Sequence, residues 1–516
     1  MSQSKHSSHE GEERYAALLN NAGAIRAICA AVEGTLGPKG LDTMLVGTLG
    51  EVMITNDGVT ILDKMEVTHP AARLMIQVAR SQQSVVGDGT TTATVLAGAM
   101  VSEGVAQVIK GVPVAKVVRG MQEGVRLAIE SLKSRSRCIL DLTDPMLYRI
   151  AYIAGREHQD IAELVIHAAQ LIGIDKLKNV SFRFADTVTA LEKGSNEVWP
   201  GLLINKKPLN AYMIQAALRN PHVLVLQDAL EPEQMEEEAA GTETGFQVLL
   251  DRREQFKTQL ETLVMLQVGL ICVDRGIDPE AEQFCVDHDI MVLQRLPRAD
   301  LMRICDYTSA KPIRRSALKK NPADLSLSLG FAEQIFYDEK LERVRVGLGR
   351  GGSYVTVLVG ASTKEVVGER SRIAMDAAAA VQAAVGGGYL PGGGAAEIAC
   401  AHELDRHRES VKGMESFGIA AVAQALRKPL AQIVLNAGYN PLEKVEEIKA
   451  AQLIQQTDSL GIDCDTGTLM DCLKEGIVDP TWVKLHAIQA AGEVAGALLR
   501  IHTVIKMKPN SLDELE

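Results

Sequence analysis

The chain has 516 residues, 46% of them hydrophobic, and a formal net charge of −12. Because single hydrophobic cores stop growing at about 250–300 residues, we expect two or three domains. The acidic charge argues against a nucleic-acid partner, since a protein that binds the phosphate backbone needs a basic face. The aromatic content of 4% also offers little for stacking on bases.

Targeting signals and cysteine usage give an expectation about the compartment. The N-terminal sequence MSQSKHSSHEGEER lacks the apolar stretch of a signal peptide, and no uninterrupted apolar run reaches the roughly 20 residues that span a bilayer. The eight cysteines form no CxxC pair, a pattern that favours buried thiols in a reducing compartment over disulfides or a zinc site. We therefore expect a cytoplasmic protein without a membrane partner.

A first Gly-rich element, Thr35-Leu36-Gly37-Pro38-Lys39-Gly40, follows a predicted long helix that ends near Gly34. It is not a Walker A loop, because no GK[ST] sequence closes it. A nucleotide site in this chain would need another architecture.

The segment VMIT-NDG-VTIL predicts a β-hairpin whose turn contains Asn56, Asp57 and Gly58. Taken alone, Asp57 is most simply a turn residue. A second acidic turn, Gly87-Asp88-Gly89-Thr90-Thr91-Thr92, leads directly into the helical sequence ATVLAGAM. Such a turn exposes backbone N–H groups at a helix N-terminus and suits a phosphate, although Thr90 or Thr91 could instead simply cap the helix.

A third acidic residue, Asp376, lies shortly before the run LPGGG at residues 390–394. Carboxylates among glycines and threonines are groups that could hold Mg²⁺ and a water molecule beside a nucleotide phosphate. Asp57, Asp88 and Asp376 are therefore candidates for one site, although most of the chain separates them.

The middle of the chain, about residues 201–356, has a different texture. Short apolar runs such as HVLVLQ, LICVDRG and DIMVLQ alternate with amphipathic stretches, which predicts an α/β layer. Within it, the acidic stretch LEPEQMEEEAAGTETG precedes a segment in which Leu249, Phe256, Leu260 and Leu263 recur at helical spacing. Taken alone, this pair is an acidic loop followed by an amphipathic helix.

Two other motifs have simpler interpretations than the functions they suggest. Gly347, Gly349 and Gly352 satisfy GxGxxG, but they precede a strand-like sequence rather than a helix, which argues against a dinucleotide site. The sequence HELDRH places its second histidine, His407, one residue too late to share a helical face with His402, so a solvated helix surface is favoured over a zinc site.

Six strings occur in the order and approximate spacing of a chaperonin subunit: GPKGLDTMLV, ITNDGVTILDKMEVTHPAA, VGDGTTTATVLAG, LPGGGAAEIA, LNAGYNP and VDPTWVKLHAIQAA. The variants TNDGxTIL and GDGTTT resemble the group II branch, which contains the archaeal thermosome and the eukaryotic cytosolic chaperonin, together with its bacterial group III relatives. This resemblance covers nearly the whole chain.

The resemblance implies a multidomain α and α/β fold with three discontinuous domains. These would be a mostly helical equatorial ATPase domain, a small α/β intermediate hinge domain, and an inserted α/β apical domain that binds substrate and carries a helical lid protrusion. The implied boundaries are 1–136 and 391–516 (equatorial), 137–199 and 357–390 (intermediate), and 200–356 (apical, with the protrusion near 231–258).

The resemblance also implies residue roles for ATP and Mg²⁺. Asp88 would bind Mg²⁺, Asp57 and Asp376 would orient and deprotonate the attacking water, and Asp479 would accept from the ribose hydroxyls. The implied nucleotide-binding residues are Leu36, Gly37, Pro38, Gly58, Gly87, Asp88, Gly89, Thr90, Thr91, Thr92, Gly393 and Asp479. Two positions depart from the family pattern: Arg156 stands where a phosphate-sensing lysine is usual, and the strand VLVGAS replaces an Arg-Gly-Gly ending.

The implied function is an ATP-dependent chaperonin, a homo-oligomeric double ring that encloses non-native polypeptides without a separate co-chaperonin lid. One alternative is a hydrolysis-deficient chaperonin-like scaffold. It is disfavoured because such proteins tend to lose the aspartates that this chain keeps at positions 57 and 88. A cofactor-binding oxidoreductase is disfavoured by the context of the GxGxxG sequence.

Overall fold

Two compact units divide the chain, and the first is built from segments near both chain ends. The computed structural model describes residues 4–192, 194–214, 217–233, 243–352 and 354–503. Within that range the first unit contains residues 4–166, 174–185 and 375–503, and the second contains residues 167–173 and 186–374.

Helices dominate the first unit. Those before residue 180 are α1 (Ser4–Glu33), α2 (Gly58–Lys64), α3 (Pro70–Val85), α4 (Thr90–Ile109), α5 (Val114–Arg135), α6 (Pro145–Ala154), α7 (Gln159–Ile172) and α8 (Ile174–Leu177). Those near the other end are α13 (Lys364–Gly387), α14 (Ala395–Ser410), α15 (Glu415–Asn436), α16 (Pro441–Gln455) and α17 (Thr481–Leu499). The boundary between the two units falls within α7 and again within α13.

The core of this unit surrounds α4. This helix is apolar on nearly every side and packs against α1, α3, α15 and α17. Residues Tyr15–Glu33 and Thr90–Ile109 are each long and apolar enough to cross a membrane. In Thr90–Ile109, 67% of the most apolar window is buried inside the protein, as expected for the central helix of a core.

Three two-stranded antiparallel sheets complete the first unit. They pair β1 (Thr43–Val46) with β2 (Val52–Thr55), β13 (Tyr389–Pro391) with β16 (Val478–Pro480), and β14 (Leu460–Ile462) with β15 (Leu469–Asp471). Five residues separate the strands of the first pair, in which Met44 lies opposite Ile54.

The hairpin predicted around Asp57 is wrong. Strand β2 pairs with the preceding strand β1, and the chain then enters helix α2 at Gly58. The β-branched residues of VTIL suggested a strand, but Asp57 is the N-cap of α2, and Ile61 and Leu62 are buried in the core. Capping and burial outweigh the weak intrinsic preference of these residues.

The second unit contains two sheets and the remaining helices. Its strands are β3 (Val188–Glu192), β4 (Glu197–Trp199), β5 (Gly201–Ile204), β6 (Leu218–Arg219), β7 (His222–Leu226), β8 (Val268–Val273), β9 (Met291–Leu293), β10 (Gly330–Asp338), β11 (Arg343–Gly349) and β12 (Thr356–Ala361). Its helices are α9 (Glu243–Met265), α10 (Pro279–Asp287), α11 (Arg298–Thr308) and α12 (Pro322–Ser326). Three short 3₁₀ helices cover Phe184–Thr187, Ala211–Ile214 and Arg315–Lys319.

The predicted α/β alternation is confirmed in the larger of these two sheets. Its strand order is β5-β11-β10-β7-β8-β9, with β6 beside β10, and β7, β8 and β9 are parallel. The smaller sheet has the order β3-β12-β4. Gly347 and Gly349 belong to strand β11 and are followed by β12, so the chain context of the GxGxxG sequence is the one expected from the sequence.

The predicted amphipathic helix is α9, in which Phe256, Leu260 and Leu263 are buried in the core of the second unit. Much of the acidic loop before it, residues 234–242, lies outside the described residues. The boundaries of the three expected domains, and the lid protrusion near 231–258, stay predictions.

Candidate functional site

The turns that contain Asp57 and Asp88 lie against each other in the first unit. Asp57 is buried and accepts the Thr60 N–H at 3.0 Å, which fixes its carboxylate at the start of α2. A Cβ atom at Gly58 would lie 2.5 Å from Thr91 Oγ1 and 3.2 Å from Thr90 Oγ1. This close approach of two turns far apart in sequence is possible because residue 58 is glycine.

The second turn has the geometry of an anion-binding helix start. Gly87 and Gly89 have φ values of +73° and +76°, which glycine adopts without strain. Asp88 Oδ1 accepts the Gly89 N–H at 2.6 Å. The idea that Thr90 or Thr91 caps the helix is wrong, because Gly89 is the N-cap and has no side chain to accept a hydrogen bond. The N-terminus of α4 therefore suits a phosphate.

Gln82 fixes the Gly87–Thr92 turn by hydrogen bonds, and it was not predicted from the sequence. Its side chain is fully buried, and its Nε2 donates to Asp88 O at 2.8 Å and to Val483 O at 3.0 Å. Its Oε1 lies 2.7 Å from His486 Nδ1, so that nitrogen carries the proton and donates. The signal in the sequence is a polar residue on the apolar face of α3, in line with the buried Met75 and Ala79.

The Asp88 carboxyl is poised for a cation. Burial raises its pKa to about 6, and the negative charges of Asp479 and Asp57 contribute to the increase. The hydrogen bond from the Gly89 N–H and the positive charge of Arg156 lower the same pKa in part. Asp479, Asp57 and Arg156 thus all act electrostatically on the Asp88 carboxyl. A positive ion at this place would relieve the repulsion among the carboxylates.

Helix α13 brings Asp376 to the neighbourhood of the same turn. A Cβ atom at Gly87 would lie 2.4 Å from Ala379 Cβ, and Ala379 shares a helical face with Asp376, one turn earlier. A Cβ atom at Gly155 would lie 3.6 Å from the Cβ of Ala377, the residue after Asp376. The backbone that precedes Arg156 therefore also lies against helix α13. Asp376 itself is half-buried.

The loops of Leu36–Pro38 and Gly393 rest on the same helix, α15. Gly37 has φ +86°, and a Cβ atom there would lie 3.0 Å from Ile433 Cγ1. Next to Gly393, a Cβ atom at Gly394 would lie 2.8 Å from Leu430 Cβ, one turn earlier on α15. Asn436 Nδ2 donates to Leu36 O at 2.8 Å and so fixes the first loop.

Asp479 lies in β16 opposite Leu390 of β13, which places it beside the LPGGG turn. Its Oδ2 is 2.8 Å from Lys484 Nζ, and the same ammonium is 2.6 Å from Glu397 Oε1. Lys484 and Glu397 are buried, whereas the Asp479 side chain is 35% exposed. Neither Lys484 nor Glu397 was predicted from the sequence.

These residues fit a Mg²⁺-nucleotide better than a metal ion alone. Among the described residues, no group of three or more His, Cys, Asp or Glu side chains could hold a metal. Mg²⁺ in nucleotide sites takes one or two carboxylates and completes its shell with phosphates and waters, which Asp88 beside the α4 N-terminus could provide. His402 is partly buried and His407 exposed on α14, as the solvated-surface interpretation expects.

Comparison with known proteins gives consistent matches over nearly the whole chain. Residues 28–509 match the TCP-1/cpn60 chaperonin family. A thermosome subunit of Pyrococcus horikoshii is 30% identical over 514 residues, covering 96% of this chain and 93% of that protein. The thermosome subunit beta of Archaeoglobus fulgidus is 32% identical over 500 residues, covering 94% of this chain and 91% of that protein.

A solved structure, the crystal structure of a group III chaperonin in the open state, superposes with a TM-score of 0.87 at 43% sequence identity. The match covers 96% of this chain and all of that one. The expected fold class, multidomain α and α/β, is confirmed by this likeness.

Proposed function

This chain belongs to the TCP-1/cpn60 chaperonin family, and on that premise we propose that it is an ATP-dependent chaperone that encloses non-native polypeptides. The observation that carries the ATPase part is the contact between the Asp57-Gly58 turn and the Gly87–Thr92 turn at the start of α4. This contact supports the proposal because the N-terminus of α4, a helix start of the kind that binds phosphate, lies next to the turns of Asp57 and Asp88.

The phosphates would bind at the N-terminus of α4. The N–H groups and hydroxyls of Thr90, Thr91 and Thr92 begin this helix and would donate to phosphate oxygens. Asp88 would hold Mg²⁺, which supplies charge neutralisation to the phosphates when bound. Leu36, Gly37, Pro38 and Gly393 would line the nucleotide, and Asp479 would accept from the ribose hydroxyls.

Asp57 and Asp376 would position the attacking water. In phosphoryl transfer the nucleophile needs orientation more than a strong base, so a carboxylate held in a fixed place is suited to this task. Asp57 is fixed because its Oδ2 caps α2. Asp376 lies on α13, which we assign to the intermediate domain, so its approach would depend on the position of that domain.

This division of labour would couple hydrolysis to closure of the chamber. If Asp376 reaches the nucleotide only in the closed form, contacts made in that form alone favour closure. Arg156 would sense the terminal phosphate in place of lysine; its guanidinium keeps the charge but presents a planar fork of donors.

The proposed assembly is a homo-oligomeric double ring in the cytoplasm, without nucleic acid or membrane partners. Its clients would be unfolded or partly folded polypeptides, which gain from folding apart from other exposed apolar surfaces. Residues near 231–258 would form a lid protrusion, so no separate co-chaperonin is expected. The acidic net charge is compatible with a chamber wall that does not bind apolar polypeptides tightly.

A hydrolysis-deficient scaffold is the second candidate, and it is disfavoured by the carboxylates that the structure brings to the Gly87–Thr92 turn. Asp57 and Asp479 both act electrostatically on the Asp88 carboxyl there. Slow ATP turnover that disappears in Asp57→Ala or Asp376→Ala would separate the two candidates.

The test is Mg²⁺-dependent ATP hydrolysis by the full chain, with particle size from light scattering. We expect a ring-sized particle whose phosphate release is lost in Asp376→Ala while ATP still binds. Asp63→Ala is the matched control, because Asp63 is an aspartate at the end of α2 that pairs with Arg80 on the surface. A small particle, or turnover that is indifferent to Asp376, would refute the closing-chamber function.

A further inference from the structure

One buried cation, Lys484, lies between two carboxylates beside the proposed nucleotide site. Its side chain is 5% exposed, and its Nζ is 2.6 Å from Glu397 Oε1 and 2.8 Å from Asp479 Oδ2. Glu397 is 2% exposed, whereas Asp479 is 35% exposed. Lys484 thus connects a buried carboxylate, Glu397, with a partly exposed one, Asp479.

The charges of these three side chains do not cancel. One ammonium faces two carboxylates, so the three side chains together carry one net negative charge, and Asp479 is the carboxylate that solvent reaches. Although burial opposes it, the two carboxylates raise the pKa of Lys484 above its usual value, so the ammonium stays charged. A buried cation is tolerated only when it is paired in this way.

Glu397 uses one carboxylate oxygen to pair with Lys484. Its second oxygen, Oε2, is buried and has no hydrogen-bond partner in the part of the chain that the structure describes. Its contact with Lys484 is therefore what stabilises its charge. Burying this carboxylate costs desolvation free energy, which indicates that the Lys484 ammonium that it neutralises has a function.

Lys484 restricts the side-chain rotamer of Asp479. Pairing of β16 with β13 places the Asp479 backbone opposite Leu390, but it does not fix the side-chain rotamer. The contact from Lys484 to Oδ2 holds that rotamer and leaves Oδ1 as the acceptor for a ligand. An ionised carboxylate oxygen only accepts hydrogen bonds, so the ligand group that fits Oδ1 is a donor such as a hydroxyl, and a nucleotide offers two hydroxyls on its ribose.

We propose that Lys484, neutralised by Glu397, is a positioning residue that sets Asp479 to recognise the ribose hydroxyls of the nucleotide. This inference rests on the proposed function and adds to it a source of sugar specificity. Lys484 touches no phosphate in this scheme, so its loss acts on nucleotide affinity rather than on the hydrolytic step.

The test compares ATP with 2′,3′-dideoxy-ATP on the full-length protein. The main variant is the double substitution Lys484→Met with Glu397→Gln, which removes both buried charges and leaves Asp479 in place. We expect its KM for ATP to rise about tenfold, the value of one charge-assisted hydrogen bond. Its KM for dideoxy-ATP should be nearly unchanged, and kcat should stay within about twofold, because the phosphate contacts remain.

Arg427→Met is the control for general loss of stability. Arg427 is another buried cation of the same unit, paired with Asp405 between α14 and α15, and the proposed site does not use it. It should lower the melting temperature without changing the preference for ATP over dideoxy-ATP.

Three results are decisive. If the double variant melts lower but keeps the wild-type preference for ATP, Lys484 is only structural and the inference fails while the proposed function stands. If the preference collapses as it does in Asp479→Ala, the inference is supported. If wild-type protein binds neither nucleotide, the proposed function fails and the inference fails with it.

Discussion

At the scale of single residues, Asp88 shows how a binding site can destabilise the protein that contains it. Burial raises the pKa of its carboxyl from 3.8 to about 6, and Asp479 and Asp57 contribute to the shift. The folded state therefore holds this proton more tightly than the unfolded state does. Stability falls as pH rises from about 4 to 6 and stays reduced at neutral pH until a cation arrives.

We predict that Asp88→Asn stabilises the protein without nucleotide at pH 7.5 by about 1–2 kcal/mol. The amide keeps an acceptor for the Gly89 N–H and removes a charge that burial disfavours. Thermal unfolding in the absence of Mg²⁺ would measure this gain, which should decline as pH falls from about 6 to 4 and vanish near pH 3, where the wild-type carboxyl is protonated in both states.

The same substitution should abolish the thermal protection that Mg-ATP gives to the wild-type protein. In the wild type, that protection should weaken as pH falls through about 6, because protonation removes the Mg²⁺ ligand. Protection of Asp88→Asn equal to that of the wild type would show that Asp88 does not hold the metal.

At the scale of elements, the decisive contact is that of the α2 start with the α4 start. Gly58 is in a helical conformation, so its importance is space rather than backbone freedom: a Cβ atom would meet Thr91 Oγ1 at 2.5 Å and Thr91 N at 3.1 Å. The side chain could rotate away, but the backbone nitrogen could not. A larger residue would push Asp57 away from the Gly87–Thr92 turn.

We predict that Gly58→Ala costs about 1–3 kcal/mol of stability through overpacking and reduces ATP turnover more than tenfold. Gly23→Ala is the matched control, because Gly23 lies within helix α1 with no atom within 4 Å of an added Cβ. The control should gain about 0.5–1 kcal/mol from helix propensity and keep full turnover.

Denaturant unfolding and phosphate release, measured on both variants, would test this contrast. Equal behaviour of the two alanine variants would mean that the turns move independently and that the close approach has no functional consequence.

At the scale of the whole molecule, the cysteines report how completely the two units are packed. Six of the eight thiols are buried, Cys464 is partly buried and Cys138 is exposed. Burial raises the pKa of Cys29, Cys285 and Cys400 to about 12, so these thiols resist forming the reactive thiolate.

We predict that an aromatic disulfide reagent at pH 8 labels only Cys138 and Cys464 in the native protein. The remaining thiols, Cys29, Cys272, Cys285, Cys305, Cys400 and Cys472, should react only on unfolding, in step with the loss of helical circular dichroism. Mass mapping of labelled peptides gives the order. Early labelling of Cys272 or Cys285, both buried in the second unit, would show that this unit opens independently.

The sequence by itself determined the local features of this protein. Apolar periodicity predicted the helices and the α/β alternation of the second unit, and the glycines of the GDGTTT sequence marked a tight turn before a helix. These features depend on residues within a few positions of one another, so a single stretch of chain carries the information. The error at Asp57 arose where a local strand preference competed with capping and core burial.

Only the tertiary structure decided which distant groups meet. Gly58 touches the turn of Thr90 and Thr91, and Lys484 joins Glu397 to Asp479. The sequence marks Gln82 as a polar residue on an apolar helix face, but it could not assign Gln82 or Lys484 to the site, since such a side chain is explained only by the partner that satisfies it. Such partners are set by how the helices pack, because burying a charge or an amide is favourable only where another part of the chain completes its bonds.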